Sequence, residues 1–351
     1  MKKKIIFSIL IVVLIVVGTV SYSIGLFGIL SGGPKKRLNR VDRSVLTDPG
    51  IHVIMAGTGT PNYDPTRNPV CVGVIAGGEF MMFDTGNGCT KTVELMNLPV
   101  LKVHTVFLTH FHSDHINDLG HLIGYTWVRG RRKQIHVYGP PGVRTVVDGF
   151  ALAAKEDINI RSNIDSLFPL DARLAVAKAH EFVYPEDGSS ITVWQKNGVV
   201  VKAFKNDHYD VKISCGYRVE YAGRSVVISG DTIKSDFVIR NAKDADILIH
   251  EAVNKDLVQE VTKMIMETGK PFDIWRARHS RRAAKHHIGH LEVAEVAQAA
   301  GVGKLVLYHI GPPIPDVWLI KRRFMKGMPD IYAGPIHISK DKDRFYLEPG
   351  Q

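Results

Sequence analysis

Val103-His104-Thr105-Val106-Phe107-Leu108-Thr109-His110-Phe111-His112-Ser113-Asp114-His115 is an apolar run that ends in four metal-type side chains within six positions. Its first half is rich in β-branched and aromatic residues and predicts a strand. His110 and His112 are two apart, so on a helix they would point in nearly opposite directions. They can share one ion only from a strand end or a loop. Ile116, Leu119, Leu122 and Ile123 recur at helical spacing, which predicts a helix starting beside these residues. Two imidazoles, a carboxylate and a third imidazole can give two adjacent ions nitrogen and oxygen donors.

Further candidates stand at the ends of later strands. His208 follows Val199–Phe204, Asp231 follows Val226–Gly230, and His309 follows Leu305–Tyr308. Alone, each would more often be structural, but their recurrence with the first cluster favours ligation. Other predicted strands are His52–Met55, Val70–Ala76, Glu79–Phe83, Ile135–Tyr138, Ile191–Trp194, Cys215–Glu220, Ser225–Ser229 and Ile247–Ile249. Helices fit 256–268 and 291–300. The loop Gly57-Thr58-Gly59-Thr60-Pro61 lacks dinucleotide and phosphate-loop spacing and reads as a turn beneath the candidate ligands. Strands in both halves with interspersed helices predict two sheets covered by helices.

The 351 residues are 45% hydrophobic, enough to fill a large core. The formal charge of +10 first suggests a polyanionic partner. However, residues 1–44 hold eight of the 45 basic residues and one acid, leaving 37 against 34 in the rest. The body is therefore near neutral, and nucleic acid is not the expected partner. Cys71, Cys89 and Cys215 are too few for a disulfide framework and read as small buried residues. Three lysines at 2–4 precede an apolar run from Ile5 to about Leu30, long enough to span a bilayer. The expected organisation is a membrane anchor or uncleaved signal over 1–31, a basic linker over 32–50 and a catalytic domain over 51–351. The catalytic domain is placed outside the cytoplasm, in the periplasm.

The ordered set His110-Phe111-His112-Ser113-Asp114-His115, His208, Gly230-Asp231-Thr232 and His309 resembles the metallo-β-lactamase fold of dinuclear metallohydrolases, from about Ile51 to Leu347. The resemblance implies an α/β fold, an αββα sandwich of two mixed β-sheets flanked by helices, here with an N-terminal transmembrane helix. It implies two Zn2+ ions, with Mn2+ or Fe2+ as alternatives. His110, His112 and His208 would hold one, Asp114, His115 and His309 the other, and Asp231 would bridge them. Val137–Gly142, Gly216-Tyr217-Arg218, His250-Glu251-Ala252 and Gly301–His309 further resemble the ribonuclease Z group and its arylsulfatase-like relatives. In that group a histidine before the last helix enters the site. His287 matches best, with His286 and His290 as neighbouring alternatives, although His287-Ile288-Gly289 departs from the small hydroxyl residues common after it.

Two features resemble the arylsulfatase side. Only residues 209–230 separate His208 from Asp231, where ribonuclease relatives carry a long arm. Trp127-Val128-Arg129-Gly130-Arg131 and Asp330–Pro335 also match. The expected activity is hydrolysis of a small anionic ester, most of all an aryl sulfate, by metal-bound hydroxide. Asp114 and His287 would be catalytic, with His287 as general acid and Glu251 orienting it; a surface ion pair is the plain alternative for Glu251. Asp84 would brace a ligand histidine from below. Tyr125, Trp127 and Trp275 are candidate pocket walls that would serve equally in a core. Arg276–Arg282 reads as an anion-attracting run or a solvated helix face. The alternatives are a ribonuclease Z-type tRNA 3′-processing endonuclease, a phosphodiesterase or lactonase, and, without catalysis, a membrane-bound scaffold with a vestigial site. Homodimerisation is left open.

Overall fold

The computed structural model describes residues 13, 16–22, 41–164, 169–209 and 211–350. Residues 1–42 and 43–351 form separate units. Most of the expected anchor and linker, 1–40, lies outside the described residues. Within it, 16–22 are helical, about 10 Å of helix against a hydrocarbon core of about 30 Å. No helix among the described residues is long and apolar enough to cross a membrane, so the expected transmembrane helix is not part of the described fold. Ser44–Leu46, inside the expected linker, form a single 3-10 turn with Val45 buried.

Among the described residues, fourteen strands form the body's two sheets. In chain order they are β1 (Ile51–Gly57), β2 (Cys71–Ala76), β3 (Glu79–Phe83), β4 (Val103–Phe107), β5 (His136–Gly139), β6 (Lys178–Glu181) and β7 (Ile191–Lys196). There follow β8 (Val199–Lys205), β9 (Cys215–Tyr221), β10 (Arg224–Ile228), β11 (Ile247–Val253), β12 (Leu305–Gly311), β13 (Ile336–Ile338) and β14 (Arg344–Leu347). One sheet is ordered β14-β1-β2-β3-β4-β5-β6 and the other β13-β12-β11-β10-β9-β8-β7. Both sheets are mixed in the same way. The pairings among β14, β1, β2 and β3 are antiparallel, and those from β3 to β6 are parallel. Likewise β7 to β10 are antiparallel and β10 to β13 parallel.

Alternation along the strands sorts the side chains into three apolar layers. Val53, Met55, Phe83 and Phe107 of the first sheet face Val201, Tyr217, Val226, Ile249 and Tyr308 of the second. The outer face of the first sheet, including Ile54, Phe80 and Val106, packs on the helices Cys89–Leu95, Leu119–Val128 and Val143–Ala153. The outer face of the second, including Val227, Leu248 and Leu307, packs on Asp236–Asn241 and His290–Ala300. This is the αββα sandwich expected from the sequence.

Tyr217 ties the two sheets directly under the histidine-rich loop. Its ring lies 5.4 Å from both Phe83 and Phe107, and its hydroxyl donates to the Leu108 carbonyl at 2.6 Å. The parallel halves matter most for function. β3 and β4 end together, as do β10, β11 and β12, so their following residues meet at one edge of the sandwich. β10 leaves through Gly230, whose φ is +65° and whose Cβ, if present, would lie 2.8 Å from the Cys215 carbonyl oxygen. Only glycine fits both conditions. Gly230→Ala should therefore lower the unfolding free energy by about 1–3 kcal/mol. An unshifted urea midpoint would show that the turn relaxes without cost.

Candidate metal centre

The turns after these strands bring seven sequence-predicted ligands together. His110 and His112 come from the loop beyond β4. Asp114 and His115 lie on the short helix Ser113–Ile116, which that loop begins. His208 follows β8 and Asp231 follows β10. His309 lies within β12, not after it as the sequence suggested. Tyr308 pairs with Glu251 and Ile310 with Ala252, so His309 is the extra residue of a bulge, with φ of +45°. A bulge re-aims one side chain out of the ladder, and here it turns the imidazole into the site.

His110, His112, His208 and Asp231 form one group, with a candidate ligand atom from each within 4.8 Å of the others. Asp114, His115 and His309 form a second, and Asp231, Glu251, His287 and His309 a third. Asp231 Oδ2 lies 3.3 Å from His309 Nε2, 3.4 Å from His115 Nε2 and 3.9 Å from His110 Nε2. Asp114 Oδ2 is 3.3 Å from His309 Nε2 and 3.5 Å from His115 Nε2. Asp231 thus stands between the groups, all within the span of a small cation pair.

Two observations show that these residues suit cations. First, His115 Nε2, both ring nitrogens of His208, Asp231 Oδ1 and His309 Nδ1 are buried without hydrogen-bond partners. Such atoms are costly unless something else satisfies them. Second, the electrostatics divide the site. Burial, reinforced by neighbouring imidazoles, holds His110 well below its ordinary pKa, and His208 down to about 4, so both present neutral lone pairs. Burial would also lower His115, yet Asp231, Asp84 and Asp114 outweigh it and hold that ring well above its usual value. That side of the site is rich in carboxylate and calls for positive charge.

Supporting groups fix the ligands. Asp84, itself at φ +58°, accepts from the Thr109 backbone and hydroxyl and from His115 Nδ1, each at 2.8 Å. It is the brace expected from the sequence, and it orients His115 by engaging the ring nitrogen away from the site. Asn206 donates to the Ser229 carbonyl at 2.7 Å, joining the turns that carry His208 and Asp231. Ser235 donates to Asp207 at 2.6 Å across the same junction. Nothing in the sequence marks Asn206, Asp207 or Ser235, because an amide, a carboxylate and a hydroxyl after a strand are commonplace in turns.

Of the three histidine alternatives, His287 faces the cluster. Its Nδ1 lies 2.6 Å from Glu251 Oε2 and 3.9 Å from Asp231 Oδ2. His286 instead packs at a tilt against Tyr209, and His290 packs towards Phe324. Glu251 is fully buried and also accepts from the Thr232 backbone, which excludes a surface ion pair. Burial draws His287 down, but the Glu251 carboxylate outweighs it and pushes the ring up to about 9.

The expected aromatic pocket does not form. Trp127 is a core residue whose indole donates to the Asp171 carbonyl, Tyr125 bonds Glu94, and Trp275 stands in solvent on the helix Pro271–Ala283. Arg131 is buried and bonds Thr126 and the carbonyls of Ile123 and Leu174. Tyr332, in the tail segment, donates to the Val302 carbonyl. Trp127, Arg131 and Tyr332, from the two segments taken as signs of the arylsulfatase side, therefore brace the core. All three cysteines are free and buried, as expected.

Residues 65–286 match the model of the metallo-β-lactamase superfamily. The chain is 31% identical over 271 residues to the ribonuclease Z of Mycobacterium marinum, covering 75% of this chain and 88% of that protein. It is 32% identical over 266 residues to the ribonuclease Z of Mycobacterium sp. (strain KMS), covering 75% and 85%. Among solved structures it is similar to human tRNase Z, short form, with TM-score 0.58, 22% identity and 84% and 98% coverage. It is similar also to the metallo-β-lactamase fold protein YhfI of Bacillus subtilis, with TM-score 0.58, 19% identity and 85% and 100% coverage. These likenesses do not support the aryl sulfate expectation. They also overturn the expected periplasmic, membrane-anchored location: the relatives are ribonucleases by name, and no described helix is long and apolar enough to cross a membrane.

Asp84→Asn removes a charged acceptor from Thr109 and His115. Zinc affinity, measured by competition with a chromogenic chelator, should fall about 10- to 100-fold. Unchanged affinity would show that Asp84 serves the fold alone.

Proposed function

Because the chain belongs to the metallo-β-lactamase superfamily, we propose that it is a metal-dependent phosphodiesterase acting on RNA, of the ribonuclease Z type. The carrying observation is the buried convergence of two imidazole–carboxylate groups on Asp231, in a chain whose relatives are named ribonuclease Z. His110, His112 and His208 would hold one divalent ion and Asp114, His115 and His309 the other, with Asp231 common to both. Zinc suits this donor set of imidazole nitrogen and carboxylate oxygen. When bound, such a pair neutralises charge on a phosphodiester and lowers the pKa of water from about 15.7 towards 7.

The chain's own groups do the remaining work. Asp114 presents a carboxylate beside His309 and His115, where it orients the attacking water and takes its proton. Glu251 engages Nδ1 of His287, so the proton that His287 delivers to the departing ribose oxygen comes from Nε2.

Between His208 and Asp231 the chain folds back through β9 and β10, leaving no room there for a long substrate-gripping arm. This favours, as a second reading, a phosphodiesterase for smaller substrates. Zinc-loaded full chain should release the 3′ extension of a precursor tRNA and hydrolyse bis(4-nitrophenyl) phosphate, both suppressed by chelation. Hydrolysis of the small ester alone would select the second reading. Failure on both with metal fully bound would remove the phosphodiesterase assignment.

His287→Ala should lower kcat about 10²- to 10⁴-fold with little change in KM, and Glu251→Gln should lower it less. Equal activity of His287→Ala and wild type would refute the general-acid role. Asp114→Ala should lose most turnover; wild-type rates would refute its assignment.

A further inference from the structure

Large aromatic side chains that remain in water need a reason. In the described body, five aromatic residues are at least 60% exposed: Tyr63, Tyr209, Phe272, Trp275 and Trp318. All five lie on segments leaving β1, β8, β11 or β12 at the edge that carries the metal groups. Tyr63 lies between β1 and β2, Tyr209 is next to His208, and Trp318 opens the helix beyond β12. Phe272 and Trp275 lie on Pro271–Ala283, the second helix of a hairpin inserted between β11 and His287.

That helix is prearranged for stacking. The rings of Phe272 and Trp275 are 6.0 Å apart and inclined by 17°; those of Trp275 and His279 are 5.4 Å apart and inclined by 15°. The three form a ladder on one helical face. The Arg276 guanidinium lies 5.9 Å from the Phe272 ring centre, and that of Arg322 lies 5.4 Å from Trp318. Between Lys270 and Lys285 the chain carries Arg276, Arg278, Arg281 and Arg282 against one acid, Asp273. The helix leads through a 3-10 turn to His286, whose ring lies 4.5 Å from that of Tyr209 and is inclined to it by 41°, and then to His287. Eight residues of helix, about 12 Å, separate Trp275 from Ala283, and a single 3-10 turn then leads to His287.

We propose that this line of rings and guanidinium groups is a track for single-stranded RNA, on which the unpaired part of a substrate stacks as it enters the site. The inference rests on the reading of the site as an RNA phosphodiesterase. Interleaved rings and cations suit bases joined by phosphates, since every base has a face to stack and every linkage a charge to neutralise. The track takes over what an arm between His208 and Asp231 would otherwise provide, and its grip is largely blind to sequence.

The test uses the full zinc-loaded chain and a labelled 15-mer of uridine, with binding read by fluorescence polarisation. Trp275→Ala should weaken binding about 5- to 150-fold, the worth of one stacked base, and Trp275→Phe should restore most of it. The ratio of kcat/KM on an RNA with a long 3′ extension to that on bis(4-nitrophenyl) phosphate should fall by a similar factor. Binding within twofold of wild type, an equal loss on both substrates, or tighter Trp275-dependent binding to anionic phospholipid vesicles than to the 15-mer would each overturn the track. Trp275-dependent binding of the 15-mer without cleavage of any RNA would uphold the track and remove the ribonuclease reading.

Discussion

Four carboxylates, Asp84, Asp114, Asp231 and Glu251, lie buried within one small region. Burying that much negative charge is affordable only where positive charge and hydrogen bonds meet each group. Asp84 is met by Thr109 and His115, Glu251 by His287 and Thr232, and Asp114 by His309. Asp231 has four imidazoles, those of His110, His115, His287 and His309, within 4 Å of one oxygen, while the other oxygen has no partner in the protein. The imbalance centres on Asp231, beside residues able to hold a metal ion, and positive charge bound there would relieve it.

The sandwich makes this concentration of charge possible. Each sheet places parallel strands next to antiparallel ones, so strand ends gather at a common edge. The first sheet brings His110, His112, Asp114 and His115; the second brings His208, Asp231, Glu251 and His309. The group of His110, His112, His208 and Asp231 and that of Asp114, His115 and His309 each draw on both sheets, whereas the group with Glu251 and His287 comes from the second alone. The apolar layer between them, with Tyr217 reaching across to Leu108, sets the separation of the two halves of the site. Cations bound across this seam would stabilise the closed sandwich as well as act in catalysis.

Much of the site was legible because its ligands follow strong strand patterns, and the first four are nearly contiguous. Short apolar runs rich in β-branched and aromatic residues located Glu79–Phe83 and most other strands within a few residues. Other features were not legible, for physical reasons. The bulge that re-aims His309 depends on pairing with β11, which no local pattern encodes. The choice of His287 over His286 and His290 depends on Glu251, 36 residues earlier. Trp127 and Arg131 look suited to ligand binding until their buried partners are seen. β6 and β14 were missed because charged residues interrupt them at sheet edges. The charge argument averaged over the whole body and so passed over a local excess, four arginines against one acid between Lys270 and Lys285.

Asp84 and His309 share the left-handed backbone region, at φ of +58° and +45°, where residues with a side chain are held at a cost of about 1–3 kcal/mol each. One is bent at the end of β3 and the other within β12, on opposite sides of the seam. The bends are therefore part of the site in the same sense as the imidazoles. Moving the histidines and aspartates onto another pair of sheets would reproduce the ligand inventory without its aim, and a designer would have to transplant the two kinks first.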